Sequence, residues 1–231
     1  MQEVHHRYST RKEPHPLDLM IAEGESNHQD FKYHIGDTKK IAKTLVAFAN
    51  TRGGKLLLGV KDNGKVVGVY SDEERYMIDT AATLFCNPAI AYTVEEWAYD
   101  GKTVLTIEVP YSKERPHYAK NEDDKWRVYV RVRDTNKYAN RVIVEVLKRK
   151  GTGASTFIHY TRKENQLLAF LSDNNQITFG QFLRIAKLKP RRAENILINL
   201  IAVGVVDINH DDRRFYYTLK AQAANPLDSV F

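Results

Sequence analysis

The chain has 231 residues, of which 42% are hydrophobic and 28% are charged, so it can bury one large core or two modest ones. Its single cysteine, Cys86, excludes a disulfide framework and any zinc site built on several thiolates. The formal net charge is +6, divided equally between residues 1–150 and residues 151–231. This mild excess suits a partner that carries phosphates.

The polar N-terminal segment and the length of the apolar runs indicate the cellular compartment of the protein. Residues 1–16 are polar and contain no secretory signal, so we interpret them as a flexible N-terminal tail. The longest apolar run, from Ile196 to Val206, is too short to span a membrane and contains Asn199 and Gly204. Cys86 ends an apolar helical run and is expected to be a buried structural thiol. We therefore predict a cytoplasmic protein with no membrane partner.

The first patterned segments are a short helix over residues 17–22 and a strand that starts at Asp30 and alternates apolar with polar side chains. An amphipathic helix, capped at residue 37 or 38, then ends before Gly53 and Gly54. The three leucines that follow predict a buried central strand, and Asn63-Gly64 predicts a hairpin whose return strand covers residues 66–69. This segment is interpreted as the core of a domain.

The pattern continues to the end of this domain. Ser71 and Glu74 have the spacing of a capping box for a helix over residues 72–85. Asp100-Gly101 joins two predicted strands, and a polar surface loop is expected to follow. The remaining predicted elements are strands over 90–97, 102–109 and 126–132, the loop over 112–124, and a helix over 141–150.

A stretch of small residues, 151–155, predicts a domain boundary, and we assign residues 17–150 to one domain and 151–160 to a linker. Thr161 and Thr178 each open a capping box, and Pro190 occupies a first helical position. Three helices followed by two strands resemble a winged helix-turn-helix domain over residues 161–220. Residues 221–231 show no pattern and are interpreted as a C-terminal tail.

Three segments of the sequence resemble those of a known family: EGESNHQDFK, AFANTRGGKLLLGVKDNGKVVGV and YVRVRDTN. Over roughly residues 17–150 they resemble the Schlafen AlbA-type domain, also described as a divergent ATPase-like domain. The resemblance implies an α+β fold, with a mixed β-sheet and flanking helices. It also implies nucleic-acid binding and, in some members, metal-dependent RNA cleavage by three acids.

Glu25, Asp30 and Asp62 match those three acids, and Asp30 stands where a glutamate is more usual. Carboxylates at strand ends suit Mg²⁺ or Mn²⁺, which could ionise a water molecule beside a phosphate. Lys32 could contact the scissile phosphate. The alternative is that Asp62 is an ordinary turn residue and that Glu25 caps a loop.

Gly53 and Gly54 could bring backbone N–H groups to a phosphate, which is the basis of an ATP-binding hypothesis. The sequence contains neither G-x-x-x-x-G-K-[ST] nor G-x-G-x-x-G. Helix termination explains the two glycines without a ligand.

Two groups of basic residues predict contact with nucleic acid. The first is a strand face that carries one aromatic side chain, and the second lies around the third helix and wing of the C-terminal domain. The first comprises Arg127, Tyr129, Arg131 and Arg133; the second comprises Lys187, Lys189, Arg191, Arg192, Arg213 and Arg214. A merely solvated strand face is the alternative for the first group.

The leading interpretation is a nucleic-acid-binding protein, with DNA preferred over RNA as the partner, that regulates transcription. The alternative function is that of a metal-dependent endoribonuclease, and the second alternative is an ATP-binding protein. The sequence also leaves open whether the protein forms a homodimer.

Overall fold

The computed structural model describes residues 14–152, 160–211, 213–220 and 230. Residues 1–13, most of the predicted linker and nearly all of the predicted C-terminal tail lie outside the described residues. No helix among the described residues is both long and apolar enough to cross a membrane.

The predicted helices appear in order with shifted ends. The N-terminal part contains α1 (Pro16–Glu23), β1 (Gln29–Lys32), α2 (Thr38–Asn50), β2 (Gly54–Leu58), α3 (Ser71–Leu84), β3 (Cys86–Asn87), β4 (Thr93–Tyr99), β5 (Lys102–Val109), β6 (Tyr118–Lys120), β7 (Trp126–Arg127), β8 (Tyr129–Val132), β9 (Thr135–Tyr138) and α4 (Arg141–Thr152). The C-terminal part contains α5 (Arg162–Asn174), β10 (Gln176–Thr178), α6 (Phe179–Ala186), α7 (Pro190–Ala202), β11 (Val206–His210) and β12 (Phe215–Leu219). The strands β3, β6 and β9 were not predicted, and the strand predicted over residues 126–132 is divided into β7 and β8.

A mixed four-stranded sheet with the order β1-β2-β5-β4 is the centre of the N-terminal part. Strand β1 is parallel to β2, and the other two pairings are antiparallel. Leu56 and Leu58 pack against the apolar faces of α2 and α3, while Leu57 packs on the opposite face beside α1. Successive strand residues point to opposite faces, so the predicted buried central strand is confirmed. The α+β class is confirmed as well.

Local capping signals explain where several helices begin. The Asp37 carboxylate accepts hydrogen bonds from the backbone N–H groups of Lys39 and Lys40. Thr161 and Thr178 form the two predicted capping boxes. Each box satisfies N–H groups at the first turn that have no partner inside the helix.

Three predicted features of the N-terminal part are wrong. Tyr70 is the N-cap of α3 and makes no side-chain cap bond; the Glu74 carboxylate instead accepts from the Ile35 backbone N–H at 3.2 Å. The return strand after Asn63-Gly64 is reduced to one isolated bridge between Val60 and Val66. The predicted surface loop contains β6 and buried side chains.

Cys86 is buried, as predicted, and its Sγ lies 3.7 Å from the Ala42 carbonyl oxygen. Burial raises the pKa of this thiol to about 12. The thiolate is therefore strongly disfavoured, which fits a structural role.

The C-terminal part contains the predicted three helices and two strands, together with β10, which was not predicted. The three strands form an antiparallel sheet with the order β10-β12-β11. The hydrophobic pattern of the sequence does not identify strand β10, because this strand is three residues long and continues directly into α6.

One apolar core joins the two parts of the chain. Val128, Val130 and Val132 pack with residues of α4 and with the buried faces of the C-terminal helices. Helix α4 continues through Thr152 and packs on α7. The predicted domain boundary therefore lies beside an apolar core that the N-terminal and C-terminal parts share.

Candidate functional site

Glu25, Asp30 and Lys32 form one cluster at strand β1. The Lys32 Nζ lies 3.0 Å from Asp30 Oδ2 and 3.9 Å from Glu25 Oε1. Glu25 Oε1 also accepts a hydrogen bond from the Phe31 backbone N–H at 2.9 Å. The structure thus brings together three of the four predicted site residues around the start of one short strand.

The environment of Glu25 favours its protonated form. Burial raises the pKa of this carboxyl, and the charge of Asp30 adds to the increase. The bond from the Phe31 N–H and the charge of Lys32 oppose these effects. The net result is a pKa of Glu25 above its ordinary value.

Arg131 is buried against this cluster, which corrects its predicted position on an exposed strand face. Its Nη2 donates to Asp30 Oδ1 at 3.0 Å, and the two side chains are 1% and 4% exposed. Its remaining donors reach the carbonyl oxygens of Ser26 and Gln29 and the Asn136 side chain. A guanidinium committed to four acceptors inside the protein has no surface to offer to a nucleic acid.

Asp62 does not join the other two acids. It lies exposed in the turn that follows Val60. Among the described residues, no group of three or more histidine, cysteine, aspartate or glutamate side chains is placed to hold a metal ion. Asp30 Oδ1 is bonded to Arg131, and Asp30 Oδ2 lies against Lys32. Asp30 Oδ2 accepts no hydrogen bond, but the charges of Lys32 and Arg131 lie against the carboxylate where a divalent cation would have to bind. The arrangement therefore does not fit a divalent cation.

A cavity of about 390 Å³ opens beside Glu25. Its wall combines the segment after α1, the β8–β9 hairpin and the turn that follows β11. The lining residues are Glu25, Ser26, Asn27, Val132, Arg133, Asp134, Thr135, Lys137, His210 and Asp211. Arg133 belongs to this wall and not to a flat strand face, since it lies in the two-residue hairpin loop with φ 54°.

Arg127 and Tyr129 lie in a different cluster, on the side of β8 that faces α2. The Arg127 guanidinium is 5.7 Å from the ring centroid of Tyr138, and the Lys43 ammonium is 5.7 Å from that of Tyr129. The two tyrosine rings meet edge to face at 6.3 Å. We name Lys43, Arg127, Tyr129 and Tyr138 the tyrosine cluster. The basic strand face that was predicted as one surface is therefore divided among three environments.

Gly53 and Gly54 are explained by close packing. A Cβ on Gly53 would lie 2.8 Å from the Val109 carbonyl oxygen, and one on Gly54 would lie 2.4 Å from the Phe48 ring. Gly53 is buried and has φ 76°, a conformation that favours glycine. Close packing therefore explains both glycines without a ligand, and the phosphate contact and ATP binding stay predictions.

The predicted basic residues of the C-terminal part are exposed. Lys189 is the N-cap of α7 and makes no side-chain cap bond, Pro190 is the first helical residue, and Arg191 and Arg192 follow. Lys187, in the left-handed conformation, ends α6. The α6–α7 turn and the first turn of α7 thus present four cations, at the end of a helix that attracts anions.

Arg213 and Arg214 lie in the turn between β11 and β12. The Asp211 Oδ1 accepts from both of their backbone N–H groups at 2.8 Å. Their side chains are exposed. The carboxylate thus holds the backbone at Arg213 and Arg214, whose side chains reach the solvent.

Tyr138 and Lys43 were missed by the sequence reading. Tyr138 could have been found as the last residue of a strand pairing with Tyr129, but the pairing register is fixed only by the two-residue loop. Lys43 lies on the polar side of α2, 86 positions before Tyr129 in the chain, and no local signal links the two residues.

The sequence profile of the family described as Schlafen, AlbA_2 matches residues 25–140. No curated protein matches the chain.

Solved structures that are similar to the chain include the following two. The DIP2311 protein of Corynebacterium diphtheriae has 20% identity and a TM-score of 0.45 over 89% of this chain and 43% of its own; the chain thus spans less than half of that protein. The N-terminal domain of a RecG-related protein of Nitrosomonas europaea has 23% identity and a TM-score of 0.38 over 63% of this chain and 95% of its own. With TM-scores below 0.5, neither likeness supports a functional argument.

Proposed function

This chain belongs to the Schlafen, AlbA_2 family, and we propose on that premise that it is a nucleic-acid-binding protein. In this proposal the C-terminal part is a winged helix that binds duplex DNA and regulates transcription. The observation that carries the proposal is the set of four exposed cations around the start of α7.

The order of the C-terminal elements supports the winged-helix assignment. Helix α5, strand β10, helices α6 and α7 and the β11–β12 hairpin follow one another, and the three strands form one small sheet. In a helix-turn-helix the second of two helices joined by a short turn enters the major groove with its N-terminal residues. Helix α7 is that second helix, and the hairpin takes the position of the wing.

The charges support DNA as the partner. The α7 cations are Lys187, Lys189, Arg191 and Arg192, and Arg213 and Arg214 stand on the hairpin turn. Each cation that contacts a phosphate releases a condensed counterion, so affinity falls as salt rises. The expected slope of the logarithm of affinity against the logarithm of salt is about one unit for each contact with duplex DNA.

The test is the salt dependence of duplex binding by Arg191→Ala/Arg192→Ala. The double variant should lose up to about two units of slope. The matched control is Lys61→Ala/Lys65→Ala, which removes two exposed cations near the Asn63-Gly64 turn and should keep the wild-type slope. Binding that ignores salt, or an equal slope in both double variants, would refute the assignment.

A metal-dependent endoribonuclease is the second candidate function. The clustering of Glu25, Asp30 and Lys32 beside a cavity favours it. The engagement of Asp30 by Arg131 and the separate position of Asp62 weigh against it. The test is cleavage of a folded RNA with manganese, which Glu25→Gln should abolish while RNA binding is retained.

A further inference from the structure

The tyrosine cluster offers an aromatic face to the outside of the protein. Tyr138 is the last residue of β9 and is 56% exposed, although it contacts Tyr129 across the strand pair. Contact with a guanidinium on one side and an aromatic edge on another holds the ring in place. The exposed part of the Tyr138 side chain gains nothing from burial, so it makes no contribution to the core.

Such a face suits the flat surface of a nucleobase. Stacking of a base on an aromatic side chain contributes about 1–3 kcal/mol and tolerates any base. The faces of paired bases are covered by their neighbours in a duplex, so a ring on a protein surface can stack only on an unpaired base. Tyr138 therefore distinguishes unpaired from paired nucleic acid by geometry.

The charges beside the ring suit the strand that carries the base. Arg127 and Lys43 place one cation beside each of the two tyrosines, and such cations contact the phosphates of a bound strand. Both can also stack on a ring or on a base plane, since cations bind the faces of aromatic systems. The cluster thus combines the aromatic surface and the positive charge that single-strand-binding proteins use.

Carboxylates in a neighbouring turn compete with anionic ligands for one of these two cations. Glu122, between β6 and β7, accepts from Lys43 Nζ at 2.5 Å, and Asp124 in the same turn accepts from Lys39 Nζ at 2.8 Å. Both carboxylates are largely exposed, and their lysine partners lower their pKa values. A phosphate that contacts Lys43 would lie close to the Glu122 carboxylate, and the two negative charges repel each other. The turn therefore weakens the binding of anions at this site.

We propose that the tyrosine cluster is a second nucleic-acid site, which binds a single strand by stacking an unpaired base on Tyr138 and which Glu122 partly occludes. This proposal rests on the proposed nucleic-acid-binding function, but it uses a surface other than α7. The chemistry is common to single-stranded DNA and single-stranded RNA.

The experiment measures the fluorescence anisotropy of three labelled ligands: a short oligo-dT, the matching oligo-U and a blunt-ended duplex of two annealed strands without unpaired bases. Tyr138→Ala should weaken single-strand binding at least about fivefold, the lower bound set by base stacking, and leave duplex binding unchanged. Tyr138→Phe keeps the ring and should retain single-strand binding. Glu122→Gln should strengthen it. The tighter of the two single strands identifies the natural source of the ligand.

The variants separate this proposal from the preceding one. Arg191→Ala/Arg192→Ala should weaken duplex binding and leave single-strand binding intact. If that variant fails to change duplex binding while Tyr138→Ala still weakens single-strand binding, the α7 assignment fails alone. Equal single-strand affinities of wild type, Tyr138→Ala and Tyr138→Phe would overturn the tyrosine-cluster proposal, and so would an equal loss of duplex binding in Tyr138→Ala.

Discussion

Replacing Arg131 by methionine tests whether the centre of the acid cluster is a buried ion pair. The change removes the guanidinium and keeps a flexible apolar side chain of similar length. It leaves the Asp30 carboxylate buried and takes away the donor at 3.0 Å. It also deprives the Ser26 and Gln29 carbonyl oxygens of their arginine donors.

The expected loss is large because one partner of a buried pair stays behind. Removing one partner of such a pair costs about 3–5 kcal/mol. Lys32 remains beside Asp30, but its side chain is 39% exposed and water weakens its attraction, so we expect about 3 kcal/mol. For a chain of this size that loss lowers the melting temperature by about 6–12 °C. Asp30→Asn should cost less, about 1.5 kcal/mol, because Arg131 keeps three other acceptors.

Urea unfolding followed by circular dichroism measures these differences. The double variant Asp30→Asn/Arg131→Met should lose less than the sum of the two single variants, since no buried carboxylate is left without its partner. Arg191→Met removes an exposed arginine and is the matched control, with an expected change within about 0.5 kcal/mol. A loss in Arg131→Met no larger than that of the control would refute the buried-pair account.

Two further predictions concern metal ions and pH. Because Asp30 is engaged by two cations, millimolar Mg²⁺ or Mn²⁺ should leave the melting temperature unchanged; a rise that follows metal concentration and disappears in Asp62→Asn would contradict this. Burial lowers the pKa of His117, so the folded state favours the neutral ring and stability should decrease as pH falls below about 6.5, the ordinary imidazole value. Unfolding free energies of wild type and His117→Gln at several pH values measure this effect; equal dependence on pH in both proteins would show that His117 does not cause it.

Features encoded within a few residues were predictable. The caps at Asp37, Thr161 and Thr178 depend on side chains that reach backbone groups two or three positions away. The buried central strand was equally local, since three successive leucines suit a strand that is covered on both faces. In these cases the sequence contains both partners of each interaction within one turn or one strand.

Features that depend on distant partners were not predictable. The donor to Asp30 Oδ1 is 101 positions away, and Glu74 bonds a backbone group 39 positions away instead of closing the capping box that its spacing suggested. Alternation along β8 correctly placed the valines on one face. It could not tell that α2 covers the other face, and so it could not distinguish a buried arginine from a solvated one.

The shared core has a consequence for how the chain can be divided. The family match ends at residue 140, yet Val128, Val130 and Val132 pack with α4 and with the C-terminal helices. A fragment ending there would leave three valines in water and would tend to self-associate through them. One face of strand β8 contacts the acid cluster, and the other face packs against the C-terminal part. We therefore expect an excised fragment to be stable only if it retains α4 together with the helices that cover it.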